Sequence, residues 1–186
     1  MRIVLFDGIQ EAHVAESLAR ALTAAGHEVH HTGRFGAGYV FRDTDDLLPV
    51  VAPHLERIAE LRPDVVLVFR PASAPWPVLQ ALRATGAVLV AWFSDDPVLF
   101  EHSYGPVVDL YDLVLHCGGA PVLRFYEERF GRPTGVNLPF WTDHTAFPVV
   151  HGARPADTDV LFLGNMVGPV RRWRYDALAA MEHEVT

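Results

Sequence analysis

The sequence predicts an α/β protein built on a doubly wound parallel sheet, and three observations carry that expectation. Short, nearly unbroken apolar runs, such as Val65 to Phe69 and Ala87 to Phe93, read as strands covered on both faces. Amphipathic stretches of helical length separate them, in the alternation that a parallel sheet with crossover helices requires. Glycine or proline punctuates nearly every junction between the two kinds of segment.

Taken in order, Ile3 to Phe6 is the first buried strand. Ala12 to Ala25 follows as a helix with Val14, Leu18, Leu22 and Ala25 on one face and Gly26 as its stop. His27 to His31 is a weaker second strand, followed by a glycine-rich loop from Gly33 to Gly38. The next helix runs to about Leu61, with Val51, Leu55 and Ile58 facing inward. Pro53 fits a first turn better than a helix interior, so the regular part is expected to begin near Ala52. Arg62-Pro63-Asp64 leads into the strand Val65 to Phe69, and Pro75 to Thr85 is a short helix closed by Gly86. Ala87 to Phe93 runs directly into Ser94-Asp95-Asp96-Pro97. Leu113 to His116 is a fifth strand, Pro121 to Phe130 a helix stopped by Gly131, and Thr134 to Leu138 a sixth strand. Residues 1–148 form one domain on this reading, and the aperiodic, proline-containing stretch 149–158 is a linker. Residues 159–186 then open a fresh unit: strand Asp159 to Leu163, a small-residue loop, and a helix from about Val170. One strand and one helix make no core, so this unit is expected to be the start of a second, incomplete domain.

Composition removes whole classes of chemistry. All fifteen basic residues are arginine, so Schiff-base catalysis, a Walker A loop and a Ser–Lys nucleophile are excluded. A single cysteine, Cys117, rules out an internal disulfide, a CxxC redox site and a cysteine-rich zinc site. With 186 residues the chain can bury about 70% of its unfolded surface. A net charge of −8 argues against nonspecific nucleic-acid binding. No apolar run reaches the length of a membrane span, and the acid at position 7 disrupts any signal-peptide pattern, so a cytoplasmic location is expected.

Ligands of an open parallel sheet sit beyond the carboxyl ends of its strands, where the topology reverses. The candidate residues are those that follow each strand: Asp7, His13, His30-His31, Arg70, Asp95, Asp96, His116 with Gly118-Gly119, and Gly164-Asn165. The first of these loops, Asp7-Gly8-Ile9-Gln10-Glu11-Ala12-His13, holds one glycine and two acids. It lacks the G-x-G-x-x-G pattern and would repel a pyrophosphate, which argues against NAD or FAD. Asp95-Asp96 is the sharpest polar signal. Adjacent carboxylates after a buried strand can bind a sugar hydroxyl, act as a general base or hold a divalent cation; the plain alternative is a helix cap ahead of Pro97. The ten histidines form no metal signature, and His30 and His31 should fall on opposite sheet faces. No metal is therefore expected. His13, on a first helical turn, is either a cleft base or a solvated helix-start residue. His116 is expected to line the cleft, and Arg70 to pair with a neighbouring loop. Around Gly164-Asn165, backbone amides with Arg171 or Arg172 could hold a phosphate, or form an ordinary turn with surface arginines.

Several of these stretches together resemble a known family. They are Arg2-Ile-Val-Leu-Phe-Asp7, Leu18 to Val29, Arg62-Pro-Asp-Val-Val66, Trp92-Phe-Ser-Asp-Asp-Pro97, Tyr111-Asp112-Leu-Val-Leu115, Leu138-Pro139-Phe140 and Asp159-Val-Leu-Phe-Leu-Gly164. In that order the chain resembles the N-terminal half of GT-B glycosyltransferases, in the spore-maturation-protein-like bacterial group. The resemblance implies two Rossmann-like domains facing across a cleft, the first taking a small-molecule or glycan acceptor. The second would hold a nucleotide-diphosphate sugar as donor substrate, with no cofactor and no bound metal. It implies that Asp95 or Asp96 deprotonates or orients an acceptor hydroxyl. Gly164 and Asn165 would begin the donor loop, with Arg171 or Arg172 near a phosphate. Because the donor domain stops after one βα unit, a truncated chain, a split gene product or a degenerate homologue is expected, with a homodimer or a missing C-terminal domain as partner; without that domain, the apolar face of Val170 to Met181 is expected to pack back onto the first domain or into a dimer. Two rivals stand beside it. One is a non-catalytic sugar- or protein-binding module of the same fold. The other is a small hydrolase or isomerase using Asp95 and His116, for which no G-x-S-x-G elbow is present.

Overall fold

Six apolar runs become six strands of one sheet in a computed structural model that describes residues 1–7, 12–32, 44–69, 74–93, 105–130, 135–139, 141, 143, 176, 179 and 180. In chain order they are β1 (Arg2–Asp7), α1 (Ala12–Ala24), β2 (Glu28–His31), α2 (Thr44–Leu61), β3 (Val65–Phe69), α3 (Trp76–Arg83), β4 (Val88–Phe93), a 3-10 turn (Gly105–Leu110), β5 (Leu113–His116), α4 (Ala120–Phe130) and β6 (Gly135–Asn137). Every pairing is parallel and the strand order is β2-β1-β3-β4-β5-β6. The chain moves one way from β1 to β2, then returns past β1 to β3 and continues in the other direction. Right-handed crossovers therefore place α1 on one face and the later helices on the opposite face.

The two apolar clusters follow this division. Val4, Phe6, Val66, Val68, Leu89, Ala91, Phe93 and Val114 meet Leu47, Val51 and Ile58 of α2, Val78, Leu79 and Leu82 of α3, and Val122 and Tyr126 of α4. The alternate strand residues Ile3, Leu5, Leu67, Phe69, Val90 and Trp92 pack with Ala15, Val14, Leu18 and Leu22 of α1. This is an α/β sheet covered on both faces, consistent with a Rossmann-like fold. Ala25, expected on the inner face of α1, lies in the exposed turn after the helix. Gly26 and Gly86 end α1 and α3 with φ of 86° and 79°, a conformation that costs a residue with a Cβ far more than glycine.

Helix α2 departs from expectation at its start. It begins at Thr44, eight residues ahead of Ala52, and carries both Pro49 and Pro53 in its interior. Both prolines are exposed, four residues apart on the solvent side, where helix carbonyls tilt outward to water. An interior proline costs about 3 kcal/mol. Complete burial of an aliphatic side chain contributes about 1.5–3 kcal/mol, so Leu47, Val51 and Ile58, all 2% exposed or less, offset much of that cost. The 3-10 turn Gly105–Leu110 has no counterpart in the sequence reading. It buries Val107 and Val108 against the core and supplies the crossover from β4 to β5.

Polar ties set the strand entrances in line. Asp64 accepts a hydrogen bond from the Arg2 amide at 2.7 Å, and the Arg2 guanidinium bonds to the Leu61 carbonyl and to Glu28. At the start of β5, Asp112 accepts from the Leu89 amide at 2.8 Å, and its other oxygen lies 3.4 Å from Arg83. Asp112→Ala should lower stability by about 1–3 kcal/mol, mainly because the Leu89 amide loses its acceptor; the exposed pair with Arg83 adds little. Urea unfolding should show Asp112→Asn, which keeps an acceptor oxygen, near wild type. Arg83 also donates to the Leu110 carbonyl at 2.6 Å, so only a double-mutant cycle of Arg83→Ala with Asp112→Ala whose coupling equals the whole Asp112→Ala loss would assign the effect to the ion pair instead.

The chain divides into two compact units, Met1–Asp143 and His144–Thr186. In the second, Asp176, Ala179 and Ala180 are helical and exposed. Among the described residues no helix is long and apolar enough to cross a membrane.

Candidate functional site

The reversal of strand order falls between β1 and β3, and their carboxyl ends are level: Asp7 pairs with Phe69, and Phe69 with Trp92. Farther along, Phe93 pairs with His116 and His116 with Asn137. The sheet thus delivers five consecutive strands to one rim, which is where an open parallel sheet binds its ligands.

Of the sequence candidates, Asp7 is the last residue of β1 and sits at this reversal. His13 is the second residue of α1, the helix that follows it. His30 and His31 end β2, on the sheet edge. Arg70, Asp95, Asp96, Gly164, Asn165, Arg171 and Arg172 lie outside the described residues, as does the Gly33 to Gly38 loop. Arg70 follows β3 directly and Asp95 comes two residues after β4, so their strands run to the same rim.

His116 does not take the expected cleft position. Its side chain is completely buried. It shares strand parity with Val114, so it points under α4, where its ring stacks on Tyr126 with centroids 6.1 Å apart and planes 22° apart. A Cβ on Gly135 of β6 would stand 3.1 Å from the imidazole Cδ2 and 3.3 Å from Nε2, so that glycine makes room for the ring. Among the described residues neither ring nitrogen has a hydrogen-bond partner, and burial pulls the imidazole below its ordinary pKa. A fully buried histidine whose pKa is lowered by burial presents nothing to a ligand at the rim. Parity with Val114, together with the helix that follows, was the sequence signal for this placement.

The sequence reading also missed how the α1 face of β4 is closed. Trp92 is 1% exposed, with its ring 5.8 Å from Phe69 in an edge contact and 5.2 Å from Trp141. Trp141 donates its indole N–H to Ser17 of α1 at 2.7 Å, and Asp143 pairs with Arg20 one turn further along. Leu138 adds its carbonyl, 3.4 Å from the Trp92 indole nitrogen. The residues after β6 are thereby tied back across the sheet to α1, beneath the rim that the strands reach. Nothing local in the sequence marks contacts between positions more than 120 apart.

No protein-family model matches the chain, and no curated protein does. Fold and rim geometry are therefore the grounds for a functional reading.

Proposed function

We propose that the chain is the acceptor-side domain of a metal-independent GT-B glycosyltransferase, acting on a hydroxyl-bearing small molecule or glycan with a nucleotide-diphosphate sugar as donor. The observation that carries this reading is the reversal of strand order between β1 and β3, with the strand ends level on one rim. The resemblance of Trp92-Phe-Ser-Asp-Asp-Pro97 and Asp159-Val-Leu-Phe-Leu-Gly164 to that family supplies the chemistry. In this reading Asp95 or Asp96 takes the proton of the acceptor hydroxyl as its oxygen attacks the anomeric carbon. The bond from that carbon to the diphosphate breaks, and the nucleoside diphosphate leaves with the electron pair. Asp7 and His13 hold the acceptor, Arg70 steadies a neighbouring loop, and Gly164, Asn165, Arg171 and Arg172 meet the diphosphate.

On this reading the 186 residues hold only the start of the donor site, so the test is release of nucleoside diphosphate from nucleotide-diphosphate hexoses in the presence of mixed glycan acceptors, with a complete donor domain supplied in the same polypeptide. Transfer insensitive to EDTA and lowered about 10²–10⁴-fold by Asp95→Asn or Asp96→Asn is expected for loss of a general base. Saturable glycan binding without transfer would instead favour the non-catalytic module. Turnover of a small substrate with no nucleotide present would overturn both in favour of a different enzyme class.

A further inference from the structure

A concave site lies at the sheet edge, between the edge strand β2 and helix α2. Its volume is about 130 Å³, and its lining includes Val4, His30, Thr32, His54, Arg57, Ile58 and Leu61. The arrangement follows from two periodicities. His54, Arg57, Ile58 and Leu61 are spaced i, i+3, i+4 and i+7, one stripe of a helix. His30 pairs in register with Val4, so it stands on the sheet face that α2 covers. His31 contributes to the same groove although alternation assigns its side chain to the other face, because β2 is an edge strand and its open side is reached from both directions. The result is an aliphatic floor of Val4, Ile58 and Leu61 under a rim of imidazoles and a guanidinium.

We propose that this groove binds a small oxyanion, a phosphate or carboxylate group on a compact apolar body, held by Arg57 and His54 over the aliphatic floor. Size favours a small ligand: drug-sized ligands occupy about 300–1,000 Å³, well above this volume. The chemistry favours an anion over a metal, since no group of three metal-ligating side chains converges among the described residues. Among the described residues, two ion-pair groups flank the groove. On β2, Glu28 engages His30 at 2.8 Å and Arg2 of β1 at 3.1 Å, and those bonds, His30 first, hold its carboxyl below the usual carboxylate range. Glu28 is thus ionised and engaged by its own partners. On α2, Arg57 touches Glu60 at 3.3 Å, a pair in which both side chains are more than two-thirds exposed. Such a pair is weak, and the guanidinium has further donors to offer. His54 is half-buried beside it, and burial lowers its pKa. An anion in the groove would return charge stabilisation to that imidazole, and by linkage protonation of His54 would tighten the anion. The site is independent of the glycosyltransferase reading.

Histidine Cε1–H signals of the full chain, titrated with inorganic phosphate, isobutyrate and formate against chloride at matched ionic strength, test this. His54→Gln identifies the His54 signal by its loss. The expected result is a saturable shift at His54, an upward move of its titration midpoint, and binding tighter at pH 6 than at pH 8. Arg57→Gln should weaken binding about 10-fold, the worth of one charge-assisted contact. Preference for phosphate marks a phosphate-bearing ligand, and isobutyrate over formate a carboxylate resting on the aliphatic floor. Equal, non-saturating shifts at His27 and His54, or no effect of Arg57→Gln, would overturn the proposal.

Discussion

Trp92→Ala should destabilise the protein by about 3–5 kcal/mol, the range for removing a buried aromatic side chain. Three contacts are lost together. The indole fills the α1-side core between Phe69 and Trp141, and its N–H points to the Leu138 carbonyl. Collapse around the cavity is restricted because Phe69 and Val90 sit on sheet strands whose spacing is fixed by backbone pairing. Trp141 is held separately, by Ser17, so it has two anchors of unequal strength. Trp92→Phe should recover most of the loss, and Ser17→Ala should cost about 1 kcal/mol, a single hydrogen bond's worth. Equilibrium urea unfolding checks all three. An equal loss for Trp92→Phe and Trp92→Ala would mean that the indole N–H, and not ring volume, carries the effect.

How far the sequence reveals this core depends on range. Val65–Phe69 and Leu113–His116 are read to the residue, because a short apolar run bounded by turn residues has only one way to pair in a sheet of this kind. Gly26 and Gly86 mark their helix ends because a positive φ is a local demand. Helix α2 is harder. Local propensity counts Pro49 and Pro53 as breakers, whereas the burial that sustains the helix comes from Leu47 and Val51 meeting a sheet assembled elsewhere in the chain. The Trp92–Trp141–Ser17 closure and the β2–α2 groove are wholly long-range, the first across most of the domain and the second across a crossover. For the rim, the strand ends are readable from period and spacing, whereas the order β2-β1-β3-β4-β5-β6 is set by pairing between distant segments. The position of His116 is not given by its place at a strand end alone, because parity decides between cleft and core.

That parity has a measurable consequence in the pH dependence of stability. Burial without a partner lowers the folded-state pKa of His116 beneath the ordinary value near 6.5. Between those two values the unfolded chain binds more protons than the folded one, so stability rises with pH across that window. The contribution is fully present above the unfolded pKa and is lost as pH falls toward the folded one, at up to about 1.4 kcal/mol per pH unit. His54 acts in the same direction, because burial lowers its pKa too. The two separate by substitution. His116→Leu removes two unpaired nitrogens while keeping volume in the space that Gly135 leaves, so it should lie within about 1.5 kcal/mol of wild type at pH 7.5. Its unfolding free energy should fall less steeply below pH 6.5, so that at pH 5 it gains on wild type and can overtake it. His54→Gln, on the half-buried groove face, should flatten the curve less. Parallel pH profiles for His116→Leu and wild type would show that the imidazole takes up its proton equally readily in the folded and unfolded chain, and would place it in contact with water after all.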